Sequence, residues 1–206
     1  MPTRLGLISD VHASPVPLAA ALALLREQGA ERVICAGDIA GYGDALEATV
    51  DLLVASGCDT ICGNHDRWHL EQARDAPQGP VERYLAGLPR TLDLTVDGCR
   101  VHVVHASPPG SLMDGIRLLD EEGVLLEAQR QAWTEQLATC DYDLLIVGHT
   151  HQLFAERLGP TLVVNPGSTL FNRSCAMVEL PSLATRLLAL PGEQARRACS
   201  WRGGWK

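Results

Sequence analysis

Apolar runs alternate with segments of helical period along the first third of the chain. Residues 5–9 form a short apolar run, and Ser14 followed by Pro15 is a start signal for a helix. The helix is expected to continue to about Gln28, because leucines three or four residues apart give it one buried stripe and Gly29 ends it. The pattern therefore predicts a strand followed by a helix.

The same pattern continues over the next thirty residues. Strands are predicted at 32–36 and 60–62, with a helix over 45–56 between them. Asp44 and Glu47 have the spacing of a capping box at the start of that helix. The order strand, helix, strand, helix, strand favours a parallel sheet with helices packed outside it.

The later part of the chain changes to the alternation that is typical of hairpins. Residues 92–96 and 100–105 flank Asp97-Gly98, a pair that favours a tight two-residue turn. The other predicted elements are helices at 81–87 and 121–139, a strand at 143–147 and a β-meander over 153–190. We expect these elements to join the first three strands in a single domain that spans residues 1–206.

Composition narrows the class of protein. Hydrophobic residues make up 46% and charged residues 20% of the 206 residues, which is typical of a globular chain and excludes a disordered or coiled-coil protein. No apolar run approaches the roughly 18 residues of a membrane span. The start of the chain does not resemble a secretory signal, so a cytoplasmic location is expected. Seven scattered cysteines indicate reduced thiols rather than a disulfide framework.

Charge narrows the choice of partners. The net charge of −8 would repel a nucleic-acid backbone, so nucleic acid is not expected as a partner and a nuclease is only a third candidate. Residues 193–206 carry four basic side chains together with glycine, and we expect them to form a flexible basic tail. We assign this tail no function.

Polar residues that could bind a metal follow nearly every predicted strand. The carboxyl ends of parallel strands meet at one edge of a sheet, so side chains that are remote in sequence can converge there. Aspartate, asparagine and histidine suit manganese, iron or zinc better than calcium. The residues in these positions are Asp10, His12, Asp38, Asn64, His65, Asp66, His105, His149 and His151.

Each of these fragments also has a structural explanation. Asp10, or Asn64 to Asp66 before a helix near Arg67, could cap a helix, and Gly37-Asp38 is a common turn. His105 could be a hydrogen-bonded core residue. In an extended segment the imidazoles of His149 and His151 would point the same way, which favours a metal only moderately. Five polar motifs, each at the end of a predicted strand, are hard to explain separately in this way, and together they favour a metal site.

The order of the motifs resembles a known family. The fragments D-x-H, G-D, G-N-H-D, H and G-H-T-H follow one another as in the calcineurin-like metallophosphoesterases, especially the small bacterial and archaeal phosphodiesterases. The resemblance extends from Leu5 to about Leu190 and includes the tetrad Asn165 to Ser168. It implies an α/β fold of four layers, α-β-β-α, in which two mixed sheets are flanked by helices.

The resemblance also implies a dinuclear metal centre. Asp38 would bridge two divalent ions, expected to be Mn²⁺ with Fe, Zn, Ni or Mg as alternatives. The first ion would take Asp10, His12 and His151, and the second would take Asn64, His105 and His149. All positions of the family pattern are filled, which argues against a catalytically inactive scaffold of the same fold.

The implied reaction is hydrolysis of a phosphate ester by in-line attack of a hydroxide that bridges the metals. His65 would protonate the leaving group, and Asp66 would orient His65 and raise its pKa. Both would therefore be catalytic residues. Arg67 and Arg173 are candidate phosphate contacts, although the pattern favours a solvated surface arginine at each position.

The expected substrate is a small phosphate diester, so the chain is interpreted as a metal-dependent phosphodiesterase. A phosphomonoesterase, such as a protein phosphatase or a nucleotidase, is the alternative. By analogy with relatives, a homodimer is a further expectation.

Overall fold

The computed structural model describes residues 2–74 and 79–199. Strands and helices follow one another much as the alternation of apolar and polar residues predicts. The elements are β1 (Thr3–Ile8), α1 (Pro15–Glu27), β2 (Arg32–Cys35), α2 (Leu46–Ser56), β3 (Asp59–Thr60), α3 (Asn64–Gln72), α4 (Pro80–Ala86), β4 (Thr91–Val96), β5 (Cys99–Val104), α5 (Glu127–Leu137), β6 (Leu144–Ile146), β7 (Leu153–Leu158), β8 (Thr161–Pro166), β9 (Ser174–Leu180) and β10 (Ala184–Ala189).

The strands form two mixed sheets of five strands each. The first has the order β10-β9-β1-β2-β3, and β1, β2 and β3 are parallel, as the repeated strand and helix units predict. The second has the order β4-β5-β6-β8-β7, with β5, β6 and β8 parallel. The predicted α/β fold with two mixed sheets is therefore confirmed.

Three apolar clusters separate the layers. Side chains that alternate along β1, such as Leu5 and Leu7, pack with Val101 and Leu144 between the two sheets. Ile8 lies with α1 and α2 on the outer side of the first sheet. A third cluster joins the second sheet to α5. Because each sheet buries both faces, helices are required on the outside, which gives the order α-β-β-α.

The predicted β-meander over 153–190 is wrong. β7 and β8 form a hairpin in the second sheet, whereas β9 and β10 form a hairpin in the first. The alternation of residues specifies that these segments are strands, but it does not specify which sheet each hairpin joins. The crossing between sheets at residues 167–173 brings the chain past the carboxyl ends of the parallel strands.

Three helices differ from the predictions at their first turn. The α5 helix begins at Glu127 rather than 121, because Asp120 Oδ1 accepts the N–H groups of Glu122 and Val124 in a turn. The capping box predicted from Asp44 is absent, since Ala45 is the residue before α2 and no side chain caps it. The α3 helix begins at Asn64 rather than near Arg67.

The described part of the predicted tail, residues 193–199, is held against the domain rather than free. The amide of Arg196 donates to the carbonyl of Asn172, and Asn172 Nδ2 donates back to the carbonyl of Arg196. The amide of Leu153 donates to the carbonyl of Arg197. All three bonds use backbone groups of the tail segment, which its basic composition could not indicate. Residues 200–206 lie outside the described residues.

Within the described residues, no helix has both the length and the apolar character needed to cross a membrane.

Candidate metal centre

All seven predicted ligands lie where strands of the two sheets end. Asp10 and His12 follow β1, Asp38 follows β2, and Asn64 begins α3 shortly after β3. The second sheet contributes His105 after β5, and His149 and His151 after β6. The two sheets pack face to face, so the ends of these strands lie side by side and their polar side chains come together.

The first cluster consists of Asp10, His12 and His151. The Nε2 atoms of His12 and His151 are 3.0 Å apart, and Asp10 Oδ1 lies 3.2 Å from His151 Nε2 and 4.0 Å from His12 Nε2. All three side chains are buried. One ligand atom from each lies within 4.8 Å of the others, as a shared metal ion requires.

The second cluster consists of Asn64, His105 and His149. Asn64 Oδ1 lies 3.0 Å from His105 Nε2 and 2.9 Å from His149 Nδ1. The amide oxygen of Asn64 therefore lies between two ring nitrogens that come from the other sheet.

Asp38 lies between the two clusters. Its Oδ1 is 3.4 Å from His105 Nε2 in the second cluster. The Asp38 carboxylate also has an oxygen within 4.8 Å of ligand atoms of both His12 and Asp10. A single carboxylate shared by two clusters has the position that the predicted bridging ligand needs.

The donor set fits divalent cations. Nδ1 of His12 donates to the carbonyl of Ala40 at 3.0 Å, and Nδ1 of His105 donates to the carbonyl of Ala36 at 2.7 Å. Each bond orients its ring and leaves the Nε2 lone pair facing the cluster, as in many metal-binding histidines. Two ligands about 2.1 Å from one ion lie roughly 3.0 to 3.4 Å apart at angles between 90° and the tetrahedral value. The separations of 3.0, 3.2 and 3.4 Å match this range, whereas Asp10 Oδ1 and His12 Nε2 lie farther apart, at 4.0 Å.

Burial and charge make the site a good place for cations. Burial favours the neutral form of Asp10, but the neighbouring His151 outweighs it and lowers the pKa of that carboxyl. Burial would also raise the pKa of Asp38, but the neighbouring His105 outweighs this effect and lowers the pKa of the carboxyl. Burial lowers the pKa of His12 to about 4, so its imidazole is neutral at pH 7. Burial lowers the pKa of His105, but Asp38 and Asp10 outweigh it and raise this pKa to about 9. Metal binding, which requires anionic carboxylates and neutral imidazoles, would therefore release a proton from His105.

The backbone at the ligands is held in an uncommon conformation. Five of the seven ligands have positive φ values, and for His149 and His151 these are 64° and 47°. The segment after β6 is therefore not extended, and the expectation that its two imidazoles point the same way is wrong. His149 points to Asn64 and His151 to His12. Such strained residues persist where the surrounding structure fixes them, typically at functional sites.

The tetrad Asn165 to Ser168 braces the ligand loops. Asn165 Nδ2 donates to the carbonyl of Gly148 at 2.9 Å, and Ser168 Oγ donates to the carbonyl of Asp10 at 2.6 Å. Both side chains are fully buried. They fix the backbone of two ligand segments without reaching the metal positions, a role for which the sequence offered no signal beyond the family resemblance.

His65 lies at the edge of the metal centre. Its backbone amide donates to Asp38 Oδ1 at 2.9 Å, and its half-buried ring borders the cleft above the ligands. The ring centroid is 4.8 Å from that of Tyr42 and 4.8 Å from that of Trp68. Burial lowers the pKa of His65.

The carboxylate of Asp66, predicted to orient His65, binds three backbone amides instead. Its Oδ1 accepts the amides of Ile39 and Ala40 at 2.9 and 2.8 Å, and its Oδ2 accepts the amide of Gly63 at 2.7 Å. The buried carboxylate therefore joins the loop after Asp38 to the start of α3. Adjacency in sequence suggested a partner for His65, but on a helix neighbouring side chains point in directions about 100° apart.

A cleft of about 410 Å³ opens above the ligands, and it contains an arginine that the sequence did not single out. Arg117 lines this cleft, together with Asp38, Asn64, His65, His149 and other residues. Arg67 and Arg173, the predicted phosphate contacts, are not among its lining residues. Arg67 is exposed on α3, and Arg173 lines a separate cleft beside Phe171. No periodic pattern marks the loop that carries Arg117, so its position in the cleft could not be predicted from the sequence.

A family profile described as "Calcineurin-like phosphoesterase superfamily domain" matches residues 3–180 of this chain. An uncharacterized protein of Methanocaldococcus jannaschii is 26% identical over 122 residues, which cover 52% of this chain and 50% of that protein. The chain thus spans about half the length of the curated relative it matches.

Two solved structures have a similar fold. A metallophosphoesterase from Sphaerobacter thermophilus is 23% identical, with a TM-score of 0.67 over 93% of this chain and 90% of the other. A protein described as a novel archaeal phosphodiesterase is 17% identical, with a TM-score of 0.60 over 91% of this chain and 100% of the other. At these identities the similarity concerns the fold.

Proposed function

This chain belongs to the calcineurin-like phosphoesterase superfamily and carries a metal-dependent phosphoesterase domain, and we propose that its substrates are small phosphate diesters. The observation that carries the proposal is the convergence of seven oxygen and nitrogen ligands around Asp38, with His65 beside them. Two clusters that share one carboxylate are suited to a pair of ions.

The proposed ligand sets are Asp10, His12, Asp38 and His151 for one ion, and Asp38, Asn64, His105 and His149 for the other. A pair of divalent cations supplies, when bound, a lowered pKa for coordinated water and positive charge against the phosphate oxygens. Mixed carboxylate, amide and imidazole ligands favour Mn²⁺, with Fe, Zn, Ni or Mg as alternatives.

The ligands leave half of the cation charge uncompensated. Asp10 and Asp38 are the only anionic members of the set, and Asn64 provides a neutral oxygen. Two divalent ions would therefore retain a net positive charge, which attracts the anionic phosphate and stabilises the additional charge of the transition state. A second pair of carboxylates would have cancelled that charge.

His65 is the proposed general acid. Its ring borders the cleft next to Asp38, where it can donate a proton to the departing oxygen of the ester. Its backbone is fixed by the bond to Asp38 Oδ1, so the position of the ring is tied to that of the bridging carboxylate. Arg117 is the proposed phosphate contact, in place of Arg67 and Arg173.

Space in the cleft supports a diester rather than a monoester. The volume of about 410 Å³ extends beyond the ligands to Trp68, Met113 and Arg117, which leaves room for substituents on the phosphate. The fold neighbour described as an archaeal phosphodiesterase is consistent with this preference. A monoesterase would need additional charge around the phosphate, and Arg117 is the only arginine or lysine among the described residues that line the cleft.

The test compares hydrolysis of bis-p-nitrophenyl phosphate with that of p-nitrophenyl phosphate, in the presence of Mn²⁺. We expect faster turnover of the diester, and loss of turnover in Asp38→Asn. Asp51→Asn is the matched control, because Asp51 is exposed on α2. A faster monoester would overturn the substrate assignment, and no turnover of either ester with any divalent metal would overturn the function.

A further inference from the structure

The cleft above the metal centre has an apolar rim. Within the described residues, eight large hydrophobic side chains are exposed, and Tyr42, Trp68 and Met113 are three of them. Their exposed fractions are 49%, 41% and 53%. All three line this one cleft, although they come from three separate segments of the chain. Exposed apolar groups that gather at a polar site commonly bind ligand.

One wall of the cleft is aromatic. The ring of His65 stands between Tyr42 and Trp68, with 4.8 Å between its centroid and each of theirs. The side chains of this wall come from α3 and from the loop after β2, which follow strands β3 and β2 of the first sheet. Since His65 is the proposed acid for the leaving oxygen, the substituent on that oxygen would lie against Tyr42 or Trp68.

The other wall comes from the second sheet. Met113 and Arg117 lie on the segment between β5 and α5, close to His149 and Thr150. A thioether makes favourable contacts with aromatic rings, and a guanidinium can lie flat against one. Arg117 has no ion pair within the described part of the chain, so its charge is available to a ligand.

From these two walls we infer that the cleft selects phosphate esters with a flat aromatic substituent, either an aryl group or a nucleobase, and that Trp68 and Met113 are specificity-determining residues. The inference rests on the proposed function and narrows its substrate class. A small alkyl or sugar ester would occupy the phosphate position and leave the apolar rim in water.

The dimensions of the cleft agree with this class. About 410 Å³ is within the range of pockets for ligands of drug or nucleotide size. The chain carries a net charge of −8, which disfavours a long nucleic-acid polymer but not a single nucleotide. Trp68 is partly exposed on a helix, so its replacement removes apolar surface from the cleft rather than from the core.

The test measures binding by calorimetry, with AMP and ribose 5-phosphate as probes. They share a phosphate on a ribose and differ in the aromatic base. The protein is titrated both without metal and loaded with Mn²⁺, after confirming that neither probe is hydrolysed; if one is, the corresponding methylene phosphonates replace both. Trp68→Ala and Met113→Ala are the variants, and Trp133→Phe is the control, since Trp133 packs beside the third apolar cluster.

We expect the wild-type protein to bind AMP roughly tenfold more tightly than ribose 5-phosphate, as stacking on one aromatic side chain predicts. Trp68→Ala should remove most of the preference for AMP and leave the affinity for ribose 5-phosphate unchanged. Met113→Ala should remove part of this preference, and Trp133→Phe should retain all of it. Equal affinities in the wild type, or equal losses for both probes in Trp68→Ala, would overturn the inference.

Failure of the inference and failure of the proposed function give different results. If the diester is hydrolysed but AMP and ribose 5-phosphate bind equally, the function stands and the aromatic specificity is wrong. If AMP is preferred but no ester is hydrolysed with any metal, the cleft is an aromatic phosphate site and the assignment of an esterase is wrong.

Discussion

The Nε2 atoms of His12 and His151, two residues 139 positions apart in the sequence, lie 3.0 Å from each other. Because Nδ1 of His12 donates to the carbonyl of Ala40, Nε2 of His12 has only a lone pair to offer. Two ring nitrogens at this separation require a shared proton or a cation. Asp10 Oδ1, at 3.2 Å from His151 Nε2, adds a negative charge that favours the cation.

Binding of metal should therefore stabilise the fold. At a free metal concentration about 100 times the dissociation constant, the gain in the free energy of unfolding is about 2.7 kcal/mol. For a chain of this size we expect the melting temperature to rise by roughly 5 to 10 °C with Mn²⁺ and to fall again with EDTA. Circular dichroism during heating measures the change, and His12→Ala should lose most of it. A wild-type melting temperature that no divalent metal moves would argue against the metal centre.

His65→Asn should affect esters according to their leaving groups. p-Nitrophenolate departs without a proton, whereas an alkoxide requires one, so a general acid matters most for the alkoxide. We expect kcat to fall by about 10² to 10⁴ for a diester with an alkyl leaving group and much less for bis-p-nitrophenyl phosphate. The metal content by elemental analysis should remain unchanged. Equal losses on both esters would contradict the role of an acid.

Asp66→Ala should destabilise the protein. The carboxylate accepts three buried backbone amides, and its loss leaves them without partners. We expect the free energy of unfolding in urea to fall by about 2 to 4 kcal/mol. The metal affinity should fall too. Two of these amides directly follow Asp38 in the chain and the third directly precedes Asn64, so their loss of a partner would disturb both ligands. Asp51→Asn on the surface of α2 provides the comparison. Unchanged stability together with a shifted pH profile would instead support an interaction with His65.

Gly148→Ala should disrupt the first cluster without changing a ligand. A Cβ at this position would collide with Ser9 Oγ and lie 2.7 Å from Asp10 Oδ2. We expect weaker metal binding and a loss of about 1 to 3 kcal/mol in stability, as for other overpacked sites. Gly110→Ala is the control, because its Cβ would meet Thr91 Cγ2 at an ordinary 3.6 Å. Similar metal affinities for the two variants would show that Gly148 is not required for close packing.

Cysteine reactivity should follow burial. Burial raises the pKa of the Cys58 thiol and of the Cys175 thiol to about 12. Only the thiolate reacts, so at pH 8 alkylation of the native protein by iodoacetamide should be roughly a thousandfold slower than that of a free cysteine. Raising the pH increases the thiolate fraction and the rate. Mass spectrometry of peptides, with the urea-unfolded protein as reference, measures each site. Rapid labelling of Cys175 in the native state would contradict its burial.

The sequence determined the strands, the first two helices and the location of the site. Apolar runs followed by Asp10, Asp38 and Asn64 placed these residues at the carboxyl ends of parallel strands, and strand order in such a sheet brings those ends together. These features depend on local patterns of period 2 or 3.6, which the residues themselves carry. The family motif then named seven side chains as metal ligands, and the fold brings these side chains together.

Tertiary structure alone decided which groups contact one another. The sheet that each late hairpin joins, the backbone partners of Asp66 and the presence of Arg117 in the cleft depend on how separate layers pack. Adjacency in sequence suggested that Asp66 serves His65 and that Arg67 or Arg173 binds phosphate. Side-chain direction on a helix and the path of a loop give such neighbours different partners, and those partners are set only when the two sheets close on their common core.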